Sequence, residues 1–282
     1  MSFIIPATSA VLQAASYTLD KITLKIKKVS YKSYNGISFP LMVFFTLIIF
    51  FLFRPSLSEE MFQFKYLFLI FLSILLSIVG NLIFYRALKS DLLSEMQTIS
   101  LLGYAPLILF TSLFFADERN PFIIVLAVIA VSALIWSHWK KHHFHIAKKT
   151  LPFLIWTLAI SPFGGPISKI ILQVWNPIAL QLIKDIAIAI VFLPLFMKNI
   201  KSTPGKAIPY LILTNALTTV AWILYFFSYQ QIGIIQTVLI FSLEPMLVYF
   251  ASVFFLKEKF QKKKAIAFAI ILLSIVLAQI LK

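Results

Sequence analysis

Residues 207–243 read AIPYLILTNALTTVAWILYFFSYQQIGIIQTVLIFSL, a run of 37 residues without one charged side chain. An α-helix rises 1.5 Å per residue, so about 20 apolar residues cross the hydrocarbon core of a bilayer. The run is therefore too long for a single crossing. Gln230, Gln231 and Gly233 form a natural turn inside it. We predict two membrane helices here, and the second of them continues past an acid, Glu244.

The composition of the whole chain agrees with that local reading. Of its 282 residues, 61% are hydrophobic and 12% charged, and the mean hydropathy is +0.95. A soluble domain needs a more polar surface, and a β-barrel would show alternating rather than continuous apolar runs. We predict an all-α integral membrane protein. The net charge of +15 comes from lysines between apolar runs, which favours phospholipid over nucleic acid as the partner.

Ten apolar stretches have the length of membrane spans, and basic residues concentrate on one side of them. The predicted spans are 2–23, 36–53, 66–88, 93–116, 120–139, 150–172, 177–197, 207–229, 232–256 and 263–281. Nineteen lysines and arginines follow odd-numbered spans, and four lie on the other side. Because cytoplasmic loops carry the excess of positive charge, this count predicts that both termini lie outside.

The two halves of the chain share an ordered pattern. A Gln-Thr pair precedes a proline with seven residues between them, at Gln97-Thr98 with Pro106 and at Gln236-Thr237 with Pro245. We predict two five-helix repeats, 1–140 and 150–282, joined by a basic linker, 141–149. An odd number of spans inverts the second repeat in the membrane. Inverted repeats are typical of secondary transporters, whose halves rock around a site near the midplane.

The ends of both repeats resemble the EamA repeat of the drug/metabolite transporter superfamily. The stretches concerned are YAPLILFTSLFFADERNPFIIVLAVIAVSALIW (104–136) and LEPMLVYFASVFFLKEKFQKKKAIAFAIILLSIVLA (243–278). Asp117 and Lys257 stand where the family usually has glycine before its glutamate. The resemblance implies a 5+5 helical bundle that moves small organic solutes, with its site between spans 1, 3, 4, 6, 8 and 9. Many members are drawn with cytoplasmic termini, contrary to the charge count.

Glu244 is the first candidate site residue. An ionisable group near the middle of a span is costly unless it faces protein or water. Pro245 follows it and leaves a backbone carbonyl unbonded one turn earlier, which predicts a kink. Glu244 is either a proton-coupling acid, or a partner for a cationic solute group, or a structural glutamate at that kink. Its counterpart in the first repeat is Ala105, and Pro106 beside it predicts the same kink. Only one repeat carries the acid, and this asymmetry favours a functional site.

Other polar and aromatic residues within the spans are weaker candidates. They are Asn81, Gln97, Gln236, Trp222, Tyr225 and Lys184. The two glutamines bind solute or hydrogen-bond neighbouring helices, and the second reading is favoured. Trp222 and Tyr225 form an aromatic wall for a cation, or pack as core or lipid contacts. Lys184 binds solute or extends to the membrane surface, and it does not pair well with the adjacent Asp185.

The remaining motifs give no indication of an enzyme. The spacing His138-x3-His142-His143 formally fits a membrane di-iron site, but such sites need more than the four histidines of this chain. We expect no metal and no cofactor. The sequence favours a secondary-active or exchange transporter of the inner or plasma membrane, with a small organic solute as partner and protons as a candidate coupling ion. The alternative is a lipid-linked-sugar flippase of the same architecture. The oligomeric state stays open.

Overall fold

The computed structural model describes residues 3–139, 150–257, 260 and 262–280. Within those ranges the chain forms helices and no strand, which confirms the all-α class. The basic linker, the histidines that follow His138 and Glu258 lie outside the described residues. The helices are α1 (Ile4–Lys25), α2 (Tyr31–Phe53), α3 (Phe64–Ser90), α4 (Leu93–Leu102), α5 (Tyr104–Phe114), α6 (Pro121–His138), α7 (Leu151–Ala159), α8 (Gly164–Ile171), α9 (Pro177–Asn199), α10 (Ile208–Ile232), α11 (Ile234–Phe241), α12 (Leu243–Leu256) and α13 (Lys262–Ile280).

Six helical segments of the described chain are long and apolar enough to cross a membrane. They are Tyr31–Phe53, Phe64–Ser90, Leu151–Ile171, Pro177–Ser202, Gly205–Ile232 and Ile234–Phe255. Two shorter apolar segments, Ile99–Phe114 and Pro121–Ser137, accompany them. The protein is therefore a multi-pass membrane protein. The count of ten spans and their inverted arrangement stay predictions.

Three of the predicted spans are divided into two helices, and each division lies beside a proline. Gly103 separates α4 from α5, and Ser242 separates α11 from α12. A short 3-10 turn that contains Pro162 separates α7 from α8. Proline has no backbone N–H, so the carbonyl four residues earlier receives no helical hydrogen bond. Pro106 and Pro245 each lie three residues after their break, so both are in the first turn of the following helix.

Two helix ends are set by local chemistry. Helix α10 ends at Ile232, and Gly233 follows with a φ of +82°, a conformation that favours glycine. Helix α2 begins at Tyr31, five residues before the predicted start of its span. The reason is a capping box: the Ser33 N–H donates to Ser30 Oγ at 3.0 Å, and the Ser30 N–H donates to Ser33 Oγ at 2.8 Å.

Small residues bring helices from the two halves of the sequence into close contact. Helix α1 packs along α10, where Ser9 Oγ donates to the Ala221 carbonyl at 2.7 Å. Ser16 Oγ lies 2.8 Å from Thr214 Oγ1 across the same interface. Helix α2 packs along α9, and Gly36 faces its backbone. Such small residues let membrane helices approach closely enough for extensive van der Waals contact. Helices α6 and α13 form a further pair.

The bundle has two ends, which we name after the buried acid at each. At the Asp20 end, Asp20 accepts hydrogen bonds from the hydroxyls of Tyr34, Tyr85 and Thr214. Those donors lie on α2, α3 and α10, so one carboxylate joins four helices. At the Glu118 end, the turn after α5 meets the end of α8 and the start of α11. Glu118 contacts Lys169 there.

Candidate functional site

A cavity of about 350 Å³ lies between the two ends of the bundle. Its walls come from α1 to α5 in the first half of the sequence and from α7 to α12 in the second. Helices α2 and α9 contribute to the lining, in addition to the spans that the family resemblance implied. The cavity therefore has both halves of the chain as its walls, and polar and aromatic groups share the lining.

Glu244 lines this cavity and is almost fully buried, with 2% of its surface exposed. Within the described part of the chain, its Oε1 atom has no hydrogen-bond partner. The break at Ser242 places Glu244 in the first turn of α12, where the helix dipole stabilises a negative charge. Tyr17, Tyr104 and Tyr225 line the same cavity as Glu244. A buried carboxyl with a free oxygen and a favourable helix end can take up either a proton or a cationic group.

An aromatic wall faces the same space from α10. Trp222, Tyr225 and Tyr229 line the cavity at spacings of three and four residues, which place side chains on one helix face. The Trp222 and Tyr225 ring centroids are 5.4 Å apart, and the Tyr225 and Phe241 centroids are 4.7 Å apart. The hydroxyl oxygens of Tyr225 and Tyr229 lie 2.8 Å from each other. Faces of such rings attract cations and exclude water from them.

Lys184 and Asp185 both line the cavity from α9, but they have different partners. Asp185 accepts hydrogen bonds from Thr46 Oγ1 at 2.7 Å and from Gln181 Nε2 at 2.8 Å. The Lys184 ammonium lies 5.1 Å from the centroid of the Phe226 ring. Among the described residues it forms no ion pair with a carboxylate. Among the described residues, Lys184 is the one lysine or arginine that lines the cavity, and its ammonium lies beside an aromatic ring.

The polar candidates divide into those that line the cavity and those that do not. Asn81 lines it, and its Nδ2 donates to the Ser77 carbonyl at 2.7 Å. Gln97 and Gln236 are buried at 1% and 4% exposure but are absent from the lining. In the ranges that the structure describes, neither amide nitrogen has a hydrogen-bond partner. The two glutamines, on α4 and α11, are therefore buried in the helix packing and do not line the cavity.

Four residues that sequence reasoning did not select contribute to this region. Gln13, Tyr17 and Tyr104 line the cavity, and Asp20 closes a hydrogen-bond network at one end of the bundle. Gln13 and Tyr17 are four residues apart and thus share one face of α1, a signal that the sequence did offer. Asp20 gave no signal, because an Asp-Lys pair at the end of an apolar run is also what a solvated loop would begin with.

Comparisons with known proteins agree with a membrane transporter. Residues 149–279 match the family model of the EamA-like transporter family. No curated protein matches the sequence. A solved structure titled "Crystal structure of protein" aligns over 99% of this chain and 98% of that chain, with a TM-score of 0.74 and 14% sequence identity. At that identity the likeness establishes a shared fold alone. The match over residues 149–279 covers the second half of the chain, and it is consistent with an EamA-type transporter of the drug/metabolite transporter superfamily.

Proposed function

We propose that this protein is a secondary-active or exchange transporter that moves a small organic solute across the inner or plasma membrane by alternating access. The observation that carries the proposal is Glu244, a buried carboxyl with a free oxygen inside a cavity that both halves of the chain enclose. An ionisable group within a membrane is retained where it serves a solute or ion pathway.

Two inverted repeats, 1–140 and 150–282, would supply the moving parts, with residues 141–149 as their linker. Several contacts support this division. The helix breaks at Gly103 and Ser242 lie at equivalent positions of the two repeats, and α4 packs against α12 while α5 packs against α11. Helices α2 and α9, the second spans of the two predicted repeats, pack against each other. Helices α6 and α13, the fifth spans, do so as well. An approximate two-fold axis through the cavity would produce this pattern.

Glu244 would bind either the cationic group of a solute or a coupling proton, and the two would compete for its carboxylate. The aromatic wall formed by Trp222 and Tyr225 would stabilise an ammonium group beside it. Lys184 would offer its ammonium to an acidic group on the same solute or on a counter-solute. Asn81 would hydrogen-bond neutral polar atoms. Gln97 and Gln236 lie outside the lining, and in the described ranges their amide nitrogens have no hydrogen-bond partner, so they would take no direct part in binding the solute.

Uptake into liposomes tests the role of Glu244. Purified protein would be reconstituted and supplied with amino acids, polyamines and quaternary amines, with and without a pH gradient. We expect the gradient to accelerate uptake of one class, because solute and proton share one carboxyl. Glu244→Gln should abolish that acceleration, since an amide cannot exchange a proton. Glu60→Gln, the same change at an exposed position, is the matched control.

Two outcomes would contradict the proposal. If Glu244→Gln responded to the gradient as the unchanged protein does, Glu244 would be a structural residue at the kink beside Pro245. If no soluble compound moved but labelled lipid-linked sugars crossed between leaflets, the protein would be a flippase of the same architecture.

A further inference from the structure

A buried carboxylate closes the Glu118 end of the bundle. Glu118 lies in the 3-10 turn Ala116–Glu118 after α5, and its side chain is 5% exposed. Its two oxygens accept the backbone N–H groups of Ile234 and Ile235, at 2.7 and 3.1 Å. Those N–H groups open α11 and have no carbonyl partner within their own helix. Glu118 thus belongs to the first half of the sequence and caps a helix of the second.

The second half is built to receive this carboxylate. Gly233 precedes the two amide donors and has a φ of +82°. A Cβ atom at this position would lie 2.6 Å from Glu118 Oε1, closer than real Cβ contacts come. Glycine is therefore required at this position for two reasons: the backbone conformation, and the space that the carboxylate occupies.

Lys169 completes the cluster from a third element. Its ammonium lies 2.6 Å from Glu118 Oε1 and 2.5 Å from Asp117 Oδ2. Asp117 is 68% exposed at its side chain, so the two acids differ in burial although they share one cation. Lys169 is on α8 directly after Ser168, which lines the cavity. The cluster of Glu118, Lys169 and the Ile234–Ile235 amides therefore joins the end of α5, the end of α8 and the start of α11 around one end of the cavity.

We propose that this cluster is a latch that holds the Glu118 end of the cavity closed, and that it separates when that end opens. The proposal rests on the alternating-access function proposed above. Its bonds connect the two halves that would move, and each partner can be solvated on release. The charged hydrogen bonds of the cluster are strong while it is buried, and water can replace them once this end of the cavity opens. A reversible gate requires both properties. Helix α11 leads from the latch to Ser242 and Glu244, so movement at the latch would reach the carboxyl in the cavity.

The chain contains no cysteine, so single cysteines can report access to the cavity without further changes. Ser168→Cys places a thiol beside the latch, and Ser38→Cys places one on the cavity wall near the start of α2, toward the Asp20 end. Labelling by a membrane-impermeant thiol reagent, applied to either side of oriented vesicles, measures how often each end is open. Glu118→Gln is the test variant, and Asp117→Asn is the matched control at the exposed acid of the same cluster.

We expect Glu118→Gln to raise the labelling rate of Ser168→Cys from the Glu118 side roughly tenfold or more, because charge-assisted hydrogen bonds to a buried carboxylate are lost. Labelling of Ser38→Cys from the other side should fall, since the two ends open alternately. Asp117→Asn should change either rate less than about threefold, as for other exposed ion pairs. Gly233→Ala removes the space for the carboxylate and should act as Glu118→Gln does.

Three results would overturn the latch. The first is an unchanged labelling rate in Glu118→Gln, and the second is an equal rise from both sides, which indicates a loosened fold. The third is failure of both Glu118→Gln and Gly233→Ala to give folded, monodisperse protein, because the cluster would then be a requirement for folding. Labelling needs no transported solute. A side-specific shift without any transport would therefore contradict the proposed function alone, and transport without the shift would contradict the latch alone.

Discussion

Replacing Gly36 by alanine tests whether the backbones of α2 and α9 make direct contact. A Cβ atom at Gly36 would lie 2.8 Å from the Leu195 carbonyl carbon and 2.8 Å from the Phe196 nitrogen. Both are backbone atoms, which cannot rotate away as a flexible side chain can. The two helices must therefore move apart, and they carry Ser38, Asp185 and other residues that line the cavity.

The expected magnitude follows from two opposing effects. Overpacking a well-packed contact costs about 1–3 kcal/mol. Alanine recovers about 0.5–1 kcal/mol because it restricts the unfolded chain and favours helix. Because the new Cβ atom meets rigid backbone atoms, the overpacking cost lies above the lower end of its range, at about 2–2.5 kcal/mol. The net loss for Gly36→Ala is then about 1–2 kcal/mol, which lowers the ratio of folded to unfolded protein about five- to thirtyfold. The midpoint of thermal unfolding should fall by about 2–8 °C.

Gly164→Ala is the matched control. A Cβ atom at Gly164 would meet nothing within 4 Å, and its backbone is already helical, with a φ of −61°. We expect its unfolding midpoint in detergent, followed by intrinsic fluorescence, to stay the same or rise slightly. If Gly36→Ala unfolded at the same temperature as the unchanged protein or above it, the close approach of α2 and α9 would be wrong. A fall of equal size in both variants would refute the reasoning about space.

Two further predictions concern the Asp20 network and the aromatic wall. Asp20→Asn removes one acceptor oxygen from a buried carboxylate that three hydroxyls share. Thermal unfolding in detergent should therefore show a fall of about 1–3 kcal/mol in the free energy of unfolding. Asp117→Asn, at an exposed acid, should lower it by less than about 1 kcal/mol. Trp222→Ala should raise the half-saturating concentration of a transported amine about tenfold, while Trp136→Ala, which is 45% exposed on α6, should leave it unchanged. Equal concentrations for the two tryptophan variants would remove Trp222 from the solute site.

Local sequence rules predicted several of the helix ends and helix breaks. The uncharged run 207–243 divides at Gly233, where the turn was expected, and helix breaks lie beside Pro106 and Pro245. These features depend on residues within one helical turn, since glycine permits positive φ and proline lacks an N–H. The division at Pro162 follows the same rule but was not predicted, because the apolar run around it is long enough to cross a membrane as one helix.

The site was only partly predictable, because a cavity is made by helices that are distant in sequence. Glu244, Trp222 and Lys184 were candidates on account of their chemistry, and they do share one cavity. Gln97 and Gln236 are also polar residues within predicted spans and have the stronger repeat signal, yet they are buried outside the cavity lining. The direction in which a helix turns its polar residues depends on its packing partners. That information is absent from an apolar run whose residues are hydrophobic on every side.

Glu118 illustrates how the same residue type can differ in role for reasons that composition does not contain. In the sequence, Asp117 and Glu118 are adjacent acids in a short loop, and Glu118 suggests a turn or interface charge. In the structure one is 68% exposed at its side chain and the other 5%, because Gly233 leaves an opening that only one of them enters. The opening is 115 residues away in the chain and exists only once the two halves have met. Helices of a bilayer protein have little hydrophobic force to bring them together, so polar contacts such as this one act together with van der Waals packing to stabilise an arrangement of the two halves. A contact that is built from a loop acid, a lysine and two free amides can break and reform without disturbing the apolar packing on either side. The contacts that join the two halves at Glu118 are therefore the ones that the proposed latch would break during a transport cycle, whereas the backbone contact at Gly36 would persist through it.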